Sequence, residues 1–429
     1  MSNVKLLYGR GELSVDLPET SDVTLIRKPR MPRLADPSFA VEFSLSNPTA
    51  SALLKNHAKN AKTACILICD ITRPVPNSLI LGPIIRKLMT LGIQSEQITI
   101  LIATGLHRPN EGKELEELIG DSWVLENAKV ENHFARDDSA HIEVGITKKG
   151  NRILLDRRFV SADVRIVTGL VEPHFMAGYS GGRKVIAPGV AHAETITTFH
   201  SARYMEDPLA TNCNLDGNPL HDDQLEIIEM VGGALAMNVV IDEFRNLSFI
   251  NFGEIISSHL EAVAFIRKYA EVKVPRRFKT VLTSCAGHPL DLTYYQTVKG
   301  MVGPLDILDK GGDLIVVSNC REGIGSEEFV AAQKRLVKMG PSGFLNAISQ
   351  KQYADIDEWQ TEMQLKPMKV GSIYLYSEGL SDKDWLVTGV NKVDNLQKCI
   401  EQSFVRHKEN KIAVIPEGPY VIPFFFNDG

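Results

Sequence analysis

Short, continuous apolar segments recur along the first half of the chain, with a helical pattern between them. Residues 64–69, 98–103 and 164–168 are such segments, and residues 79–92 have helical periodicity and end in a glycine. Strands that are apolar throughout are typical of a parallel sheet covered by helices on both faces. The pattern therefore predicts an α/β fold with a mostly parallel sheet.

The alternation of strands and helices restarts after a basic stretch containing a proline, VKVPRRFK, at residues 272–279. We place a domain boundary there, which predicts an N-terminal α/β domain at 1–275 and a C-terminal α/β domain at 276–429. Outside the first sheet we expect a hairpin at 4–17, an irregular surface segment at 18–45, helices at 254–275, 326–339 and 392–406, and strands at 280–285, 313–318, 370–376 and 411–415.

Bulk properties favour a cytoplasmic protein and do not exclude anionic small-molecule substrates. The net charge of −6 disfavours a nucleic-acid role, which would need a basic face. The first residues lack a signal-peptide pattern, and no apolar run is long enough to span a membrane. The six cysteines include no CxxC pair, and buried, inert thiols in a reducing compartment are the simplest interpretation.

Polar side chains follow each apolar segment of the first domain. Asp70 and Arg73 follow the first segment, His107 follows the second, and His174 follows the third. Each could have a purely structural role when taken alone. Because ligands bind beyond the carboxyl ends of parallel strands, we expect the four to share one crevice. With residues 294–299 of the second domain, they predict an active site at the domain interface.

A glycine-rich segment at residues 173–184 (PHFMAGYSGGRK) ends in Lys184. Closely spaced glycines let a backbone approach a ligand, so we expect an anion of phosphate size there. The lysine offers a charge or an amine for covalent attachment. Gly178–Gly182 formally matches GxSxG, but no strand runs directly into Ser180, which makes a serine hydrolase a weak alternative. Walker A, GxGxxG and HExxH motifs are absent.

Five segments together resemble the nickel-dependent lactate racemase family. They occur in order from about residue 60 onward, and the glycine-rich segment is the most specific of them. They are Asp-x-Thr-Arg-Pro at 70–74, Thr-Gly-Leu-His-Arg at 104–108, the segment at 173–184, Phe-His-Ser at 199–201, and Tyr-Tyr-Gln-x-x-Lys at 294–299.

The resemblance implies a nickel-pincer nucleotide cofactor held by a lysine, which matches Lys184, with nickel bound by one histidine, which matches His200. It implies His107 and His174 as opposed acid and base groups in the racemisation of a 2-hydroxy acid. The C2 hydrogen would move reversibly to the cofactor as hydride, which avoids a dianionic carbanion. Further cofactor contacts would be Asp70, Ser180, Gly181 and Gly182, and substrate contacts would be Arg73, Tyr295, Gln296, Lys299 and Trp359.

The substrate stays open among aliphatic 2-hydroxy acids, dicarboxylates and sugar acids. A dicarboxylate would need a further cation, for which Arg108, Arg183 and His288 are candidates. Two other functions stay open: a 2-hydroxy-acid oxidoreductase with the same cofactor, and a non-covalent binding protein for nickel or a mononucleotide. Racemisation with a nickel-pincer nucleotide also implies separate cofactor-maturation enzymes as partners.

Overall fold

The structure is a computed structural model that describes residues 3–426. The chain forms two compact units. Unit 1 comprises the residues up to Pro29, His200–Cys213 and the residues from Tyr269 onward, and unit 2 comprises Arg30–Phe199 and Asn214–Lys268. This division is not a single cut along the chain, and the bounds 1–275 and 276–429 stay a prediction.

The strands of residues 3–426, numbered in chain order, are β1 Asn3–Tyr8, β2 Gly11–Asp16, β3 Asp22–Leu25, β4 Ala64–Cys69, β5 Ile98–Ala103, β6 Lys129–Asn132, β7 His141–Ile146, β8 Arg152–Asp156, β9 Val164–Leu170, β10 Pro173–His174, β11 Gly178–Tyr179, β12 Leu235–Ile241, β13 Leu247–Glu254, β14 Glu271–Val274, β15 Phe278–Ser284, β16 Leu308–Val317, β17 Ser372–Tyr376, β18 Asn391–Lys392, β19 Lys411–Ile415 and β20 Ile422–Phe425.

The helices of the same residues are α1 Pro37–Ser46, α2 Leu54–His57, α3 Asn77–Thr90, α4 Lys113–Ile119, α5 Ser122–Asn127, α6 Arg157–Val160, α7 Arg183–Ile186, α8 Ala193–Phe199, α9 Ala202–Met205, α10 Pro219–Met230, α11 Ile255–Ala270, α12 Tyr294–Val302, α13 Glu327–Ser349, α14 Glu358–Val370, α15 Asp382–Thr388 and α16 Leu396–His407. None of these helices is both long enough and apolar enough to cross a membrane.

Unit 2 is built on a six-stranded sheet in the order β13-β12-β9-β4-β5-β6. All neighbours are parallel except β12 and β13, which pair antiparallel. Apolar side chains of β4, β5 and β9 are buried against α3 and other helices, and form the core of the unit. The three predicted strands are therefore adjacent and parallel, so their carboxyl ends meet at one edge of the sheet.

Unit 1 has a second six-stranded sheet, in the order β18-β17-β16-β15-β19-β3, whose strands are all parallel. The hairpin of β1 and β2 packs its apolar residues into the core of this unit with α16. The predicted α/β class, with a mostly parallel sheet in each of two parts, is confirmed. All six cysteines are free thiols.

The prediction of an irregular segment at 18–45 is wrong. Residues Asp22–Leu25 form β3, an edge strand of the unit 1 sheet, and α1 begins at Pro37. The Asp36 carboxylate caps this helix by accepting a hydrogen bond of 2.9 Å from the Phe39 N–H. Aspartate followed directly by proline is typical of a helix start. The other prolines of the segment favoured irregular structure and hid this local signal. Two helices also differ in length: α11 ends at Ala270, and α13 continues through a kink at Gly340 to Ser349.

We predict that Gly371→Ala destabilises the protein by about 1–3 kcal/mol, because the added methyl group overpacks rigid backbone. A Cβ at Gly371, just before β17, would lie 2.1 Å from the Gly312 carbonyl oxygen of β16. Urea unfolding followed by circular dichroism measures the change. Gly11→Ala is the matched control, since no atom lies within 4 Å of its added Cβ. Equal stability of both variants would contradict the packing described here.

Candidate active site

A carboxylate and an imidazole meet at the carboxyl edge of the unit 2 sheet. Asp70 directly follows β4, and His107 follows β5 after a turn closed by the His107 N–H and the Thr104 carbonyl. Asp70 Oδ2 lies 2.6 Å from His107 Nδ1, while Thr72 Oγ donates to Oδ1 at 2.5 Å. The carboxylate holds a proton on Nδ1 and leaves Nε2 of an exposed ring as the basic nitrogen.

The pKa of Asp70 reflects opposing effects. Burial alone would raise it, because the side chain is almost fully enclosed. The hydrogen bond and charge of His107 act against burial, together with Thr72 and the cation Arg73, and the net result is a lowered pKa. Asp70 is therefore a carboxylate at neutral pH, and it orients the imidazole rather than supplying a proton.

Arg73 lies on the turn after β4, where its N–H bonds the Asp70 carbonyl. Its guanidinium donates to Glu172 Oε1 at 2.9 Å, and both side chains are only about a quarter exposed. Glu172 follows β9, so this ion pair ties two neighbouring strand ends together. Sequence reasoning gave Glu172 no role, although its position before Pro173-His174 placed it at the same edge.

His174 is buried, and its ring is stacked on Phe175 with the centroids 5.0 Å apart. Its Nδ1 accepts hydrogen bonds from the N–H groups of Met176 and Ala177, at 3.4 and 3.2 Å. An accepting Nδ1 carries no proton, so the neutral ring has its proton on Nε2. His107 and His174 are thus held in opposite tautomers.

The glycine-rich loop between β10 and α7 is shaped by close backbone packing. A Cβ on Gly178 would lie 2.2 Å from the Asn214 carbonyl, and one on Gly181 would lie 2.5 Å from Val171; both residues have positive φ. Among residues 3–426, no acceptor takes the N–H groups of Gly181 and Gly182. These donors suit the anion predicted from the sequence.

Ser180 has a structural role in this loop. Its hydroxyl donates to the Leu170 carbonyl at 2.8 Å and accepts from the Glu172 N–H at 3.1 Å. The His259 ring faces the Ser180 carbonyl oxygen at 2.9 Å and does not contact the hydroxyl. A serine activated by a histidine is therefore absent here, which disfavours the serine-hydrolase alternative.

Lys184 stands in the first turn of α7, directly after the loop. Its side chain is half-buried, and within residues 3–426 no carboxylate lies within ion-pair distance of its Nζ. Burial, reinforced by the charges of Arg73 and Arg183, lowers the pKa of the Lys184 amine to about 7. A large share of the amine is thus neutral and nucleophilic at physiological pH.

The remaining predicted residues belong to unit 1. His200 lies between α8 and α9, and its ring is 4.5 Å from that of Trp359 on α14. The Trp359 indole N–H donates to the Tyr295 hydroxyl at 3.2 Å. The structure thus brings His200, Trp359 and Tyr295 into one contiguous group, while Gln296 and Lys299 lie on the same helix as Tyr295, α12.

Gln296 has an unsatisfied acceptor. Its Oε1 is buried and receives no hydrogen bond from residues 3–426. A buried amide oxygen without a donor is unfavourable, so a ligand N–H or hydroxyl would stabilise this position. The same residues contain no group of three His, Cys, Asp or Glu side chains arranged to hold a metal ion.

Two of the cations considered for a dicarboxylate substrate have other partners. Arg108 binds Glu114 through two hydrogen bonds of 2.9 and 2.6 Å. Arg183 is buried, and its guanidinium contacts the His259 ring at 2.9 Å and donates to the Ala177 carbonyl at 3.1 Å. Neither arginine therefore offers the fork of donors that a second carboxylate would need.

The fold and these side chains define an α/β protein with an oriented histidine and an amine of low pKa at one sheet edge. Comparison with known proteins gives its family. Residues 8–212 match the family model "Lactate racemase N-terminal domain", and residues 275–423 match "Lactate racemase C-terminal domain". The chain belongs to the lactate racemase family, as the sequence motifs predict.

Individual relatives match over most of their length. The chain is 31% identical to the lactate racemase of Lactiplantibacillus plantarum, covering 89% of this chain and 90% of that protein. It is 29% identical to the lactate racemase of Thermoanaerobacterium thermosaccharolyticum, covering 98% and 99%. The apoprotein structure of that second enzyme superposes with a TM-score of 0.89 at 27% identity, over 98% of this chain and 100% of the other.

We predict that Lys184 is acylated at a lower pH than ordinary lysines. Because its pKa is lowered to about 7, its reactivity should rise with pH and level off above pH 8, whereas a solvated lysine has a pKa of about 10.4. Brief treatment with acetic anhydride across pH 5–10, followed by peptide mapping, measures this profile. Arg73→Ala should shift the profile to higher pH, and a Lys184 that reacts only above pH 9 would contradict the assignment.

Proposed function

We propose that this protein is a racemase or epimerase that inverts C2 of a 2-hydroxy acid. Membership of the lactate racemase family supports this class of reaction. The observation that carries the proposal at the level of residues is the 2.6 Å contact between Asp70 and His107, which holds an imidazole with a free basic nitrogen at the sheet edge. A proton-transfer group fixed by a second side chain is what general base catalysis requires.

We also propose a nickel-pincer nucleotide as the cofactor, attached covalently to Lys184. Features of unit 2 fit such a group. The Lys184 amine has a low pKa and is not engaged in an ion pair, and the Gly181 and Gly182 N–H groups suit a phosphate. When bound, this cofactor supplies a reversible acceptor for the C2 hydride of the substrate.

His200 is the proposed protein ligand of nickel. Its ring is packed against Trp359, which limits its rotation. Because no three potential ligand side chains gather within residues 3–426, a metal at His200 needs further donors from outside the protein. A cofactor that carries sulfur and carbon donors meets that need, as the family resemblance implies.

The chain's own groups would bind the substrate and move its proton. The Arg73 guanidinium, which donates to Glu172 at the sheet edge, is proposed to hold the substrate carboxylate as well. His107 Nε2 would take the hydroxyl proton of one enantiomer. Tyr295, Gln296, Lys299 and Trp359 are proposed as the further substrate contacts in unit 1.

His174 is proposed to serve the other enantiomer, which requires it to cycle through the imidazolium form. That form has a proton on Nδ1, where the Met176 and Ala177 N–H groups now donate. The two amides and the protonated ring cannot all keep their present positions. We therefore infer that the segment from His174 to Ala177 adjusts each time the ring is protonated.

The two rival functions differ in their products. An oxidoreductase with the same cofactor would release a 2-keto acid, whereas a racemase returns the opposite enantiomer. A carrier of nickel or a mononucleotide would need no oriented acid–base group, and the pairing of Asp70 with His107 disfavours it.

A chiral assay over single enantiomers of 2-hydroxy acids tests the proposal, using protein produced together with the cofactor-maturation enzymes. We expect the opposite enantiomer to accumulate for at least one substrate. His107→Ala and His174→Ala should each lower the rate by about 10²- to 10⁴-fold, the usual contribution of a general acid or base. Each variant should keep the cofactor, as judged by intact mass.

Asp70→Asn serves as the graded variant, since it keeps the shape of the side chain but removes the charge that orients His107. We expect a loss smaller than that of His107→Ala, together with a changed pH profile. A full rate in His107→Ala, or loss of the cofactor from both histidine variants, would contradict the assigned roles.

A further inference from the structure

A cleft lies at the end of the unit 2 sheet where β9 and β12 begin, away from the carboxyl ends that carry Asp70 and His107. Its volume is about 390 Å³, within the range of small-ligand sites. Segments 50–52, 163–165 and 232–235 line it, with His57 and Glu254. Strand β9 has seven residues and is therefore ~20 Å long, so this cleft is separate from the residues that follow its other end.

The two acidic residues of the cleft are already hydrogen-bonded. Asp163 Oδ2 accepts from the N–H groups of Lys62 and Thr63, at 2.9 and 3.0 Å. The Glu254 carboxylate accepts from two N–H groups at the start of α11, at 2.9 and 2.7 Å. Their charges are thus partly compensated by backbone donors, and the charge of Asp163 also acts on the Arg165 guanidinium.

Arg165 is the half-buried cation of this cleft. One of its N–H groups donates to the Val160 carbonyl at 3.0 Å, and no carboxylate of residues 3–426 lies within ion-pair distance of it. Burial lowers the pKa of this guanidinium, although the charge of the nearby Asp163 carboxylate acts in the opposite direction. The charge of Arg165 is therefore only partly compensated. A bound anion would therefore stabilise it.

The surroundings of Arg165 leave room for such an anion. Gly232 and Gly233 have φ of +74° and +83°, which disfavours side chains there, and a Cβ on Gly232 would lie 3.7 Å from the guanidinium. Ser51 Oγ and His57 Nε2, 3.0 Å apart, add polar groups to the wall. Ala50 next to them has φ of +48°, a strained conformation of the kind that often occurs at binding sites.

We propose that this cleft binds a small monocarboxylate, which Arg165 holds through its planar fork of donors. Guanidinium and carboxylate match in geometry and form two parallel hydrogen bonds. A dianion such as phosphate is disfavoured, because Asp163 and Glu254 contribute two negative charges to the same space. This site goes beyond the proposed function and does not depend on it.

Isothermal titration calorimetry with sodium propionate tests the site. Inorganic phosphate, measured at the same ionic strength, is the dianion used for comparison. The Kd for propionate should be about tenfold higher in Arg165→Gln than in the wild type. Arg157→Gln is the matched control. Arg157 is exposed on the neighbouring α6 and does not line the cleft, so its removal should leave the Kd unchanged. Propionate bound elsewhere in the protein would appear as a second binding event in every variant, so the comparison concerns the event that is present in Arg157→Gln and weakened in Arg165→Gln.

Arg165→Lys keeps the charge but lacks the fork, and should bind with intermediate affinity; it also serves if Arg165→Gln fails to fold. The proposal is overturned if Arg165→Gln binds propionate as tightly as Arg157→Gln does. It is equally overturned if no variant binds propionate, or if phosphate binds more tightly than propionate.

Discussion

The parallel pairing of β9, β4 and β5 is the constraint on which the candidate site of unit 2 depends. Parallel neighbours end at the same edge, so residues far apart in sequence arrive side by side. Asp70 can then bond His107 across 37 positions, and Arg73 can bond Glu172 across 99. A slip of one residue in β4 would turn Asp70 to the other face and break the pair. The buried apolar faces of these strands fix that register, so the packing of the core also determines which side chains meet in the candidate site.

The glycine-rich loop links backbone packing to the properties of Lys184. Arg183 is buried behind the loop, where it donates to the Ala177 carbonyl, and His259 contacts the Ser180 carbonyl. A buried arginine without a carboxylate partner is unfavourable, and here burial lowers its pKa to about 9. The same unpaired charge disfavours the ammonium form of the adjacent Lys184. The arrangement that stabilises the loop thus also makes the lysine amine reactive.

Much of the fold could be predicted from the sequence. Strands β4, β5 and β19 occur at the predicted residues, because continuous apolar runs bounded by polar turns are typical of buried parallel strands. The segment 18–45 was mispredicted, since its prolines outweighed the single helix cap at Asp36. Helix α14 was not predicted at all. Its buried face includes polar residues such as Glu362 and Gln364, so it lacks the apolar stripe that marks a helix.

The site was less accessible to sequence reasoning than the fold. The convergence of Asp70 and His107 followed from strand order, but the tautomer of His174 depends on the two backbone N–H groups that its ring meets. The pKa of Lys184 depends on burial and on the nearby charges of Arg73 and Arg183, and the sequence alone does not show that these groups come close to the amine. His200 has no supporting sequence context of its own. Its proposed role rests on the family resemblance and on the packing of its ring against Trp359.

The central claim is that Lys184 carries the cofactor, and intact-mass measurement with peptide mapping tests it most directly. The protein should be produced together with maturation enzymes known to load another member of the family. We expect a nickel- and sulfur-containing nucleotide adduct on the peptide containing Lys184, and no adduct in Lys184→Ala. An unmodified lysine under conditions that load the reference protein would contradict it.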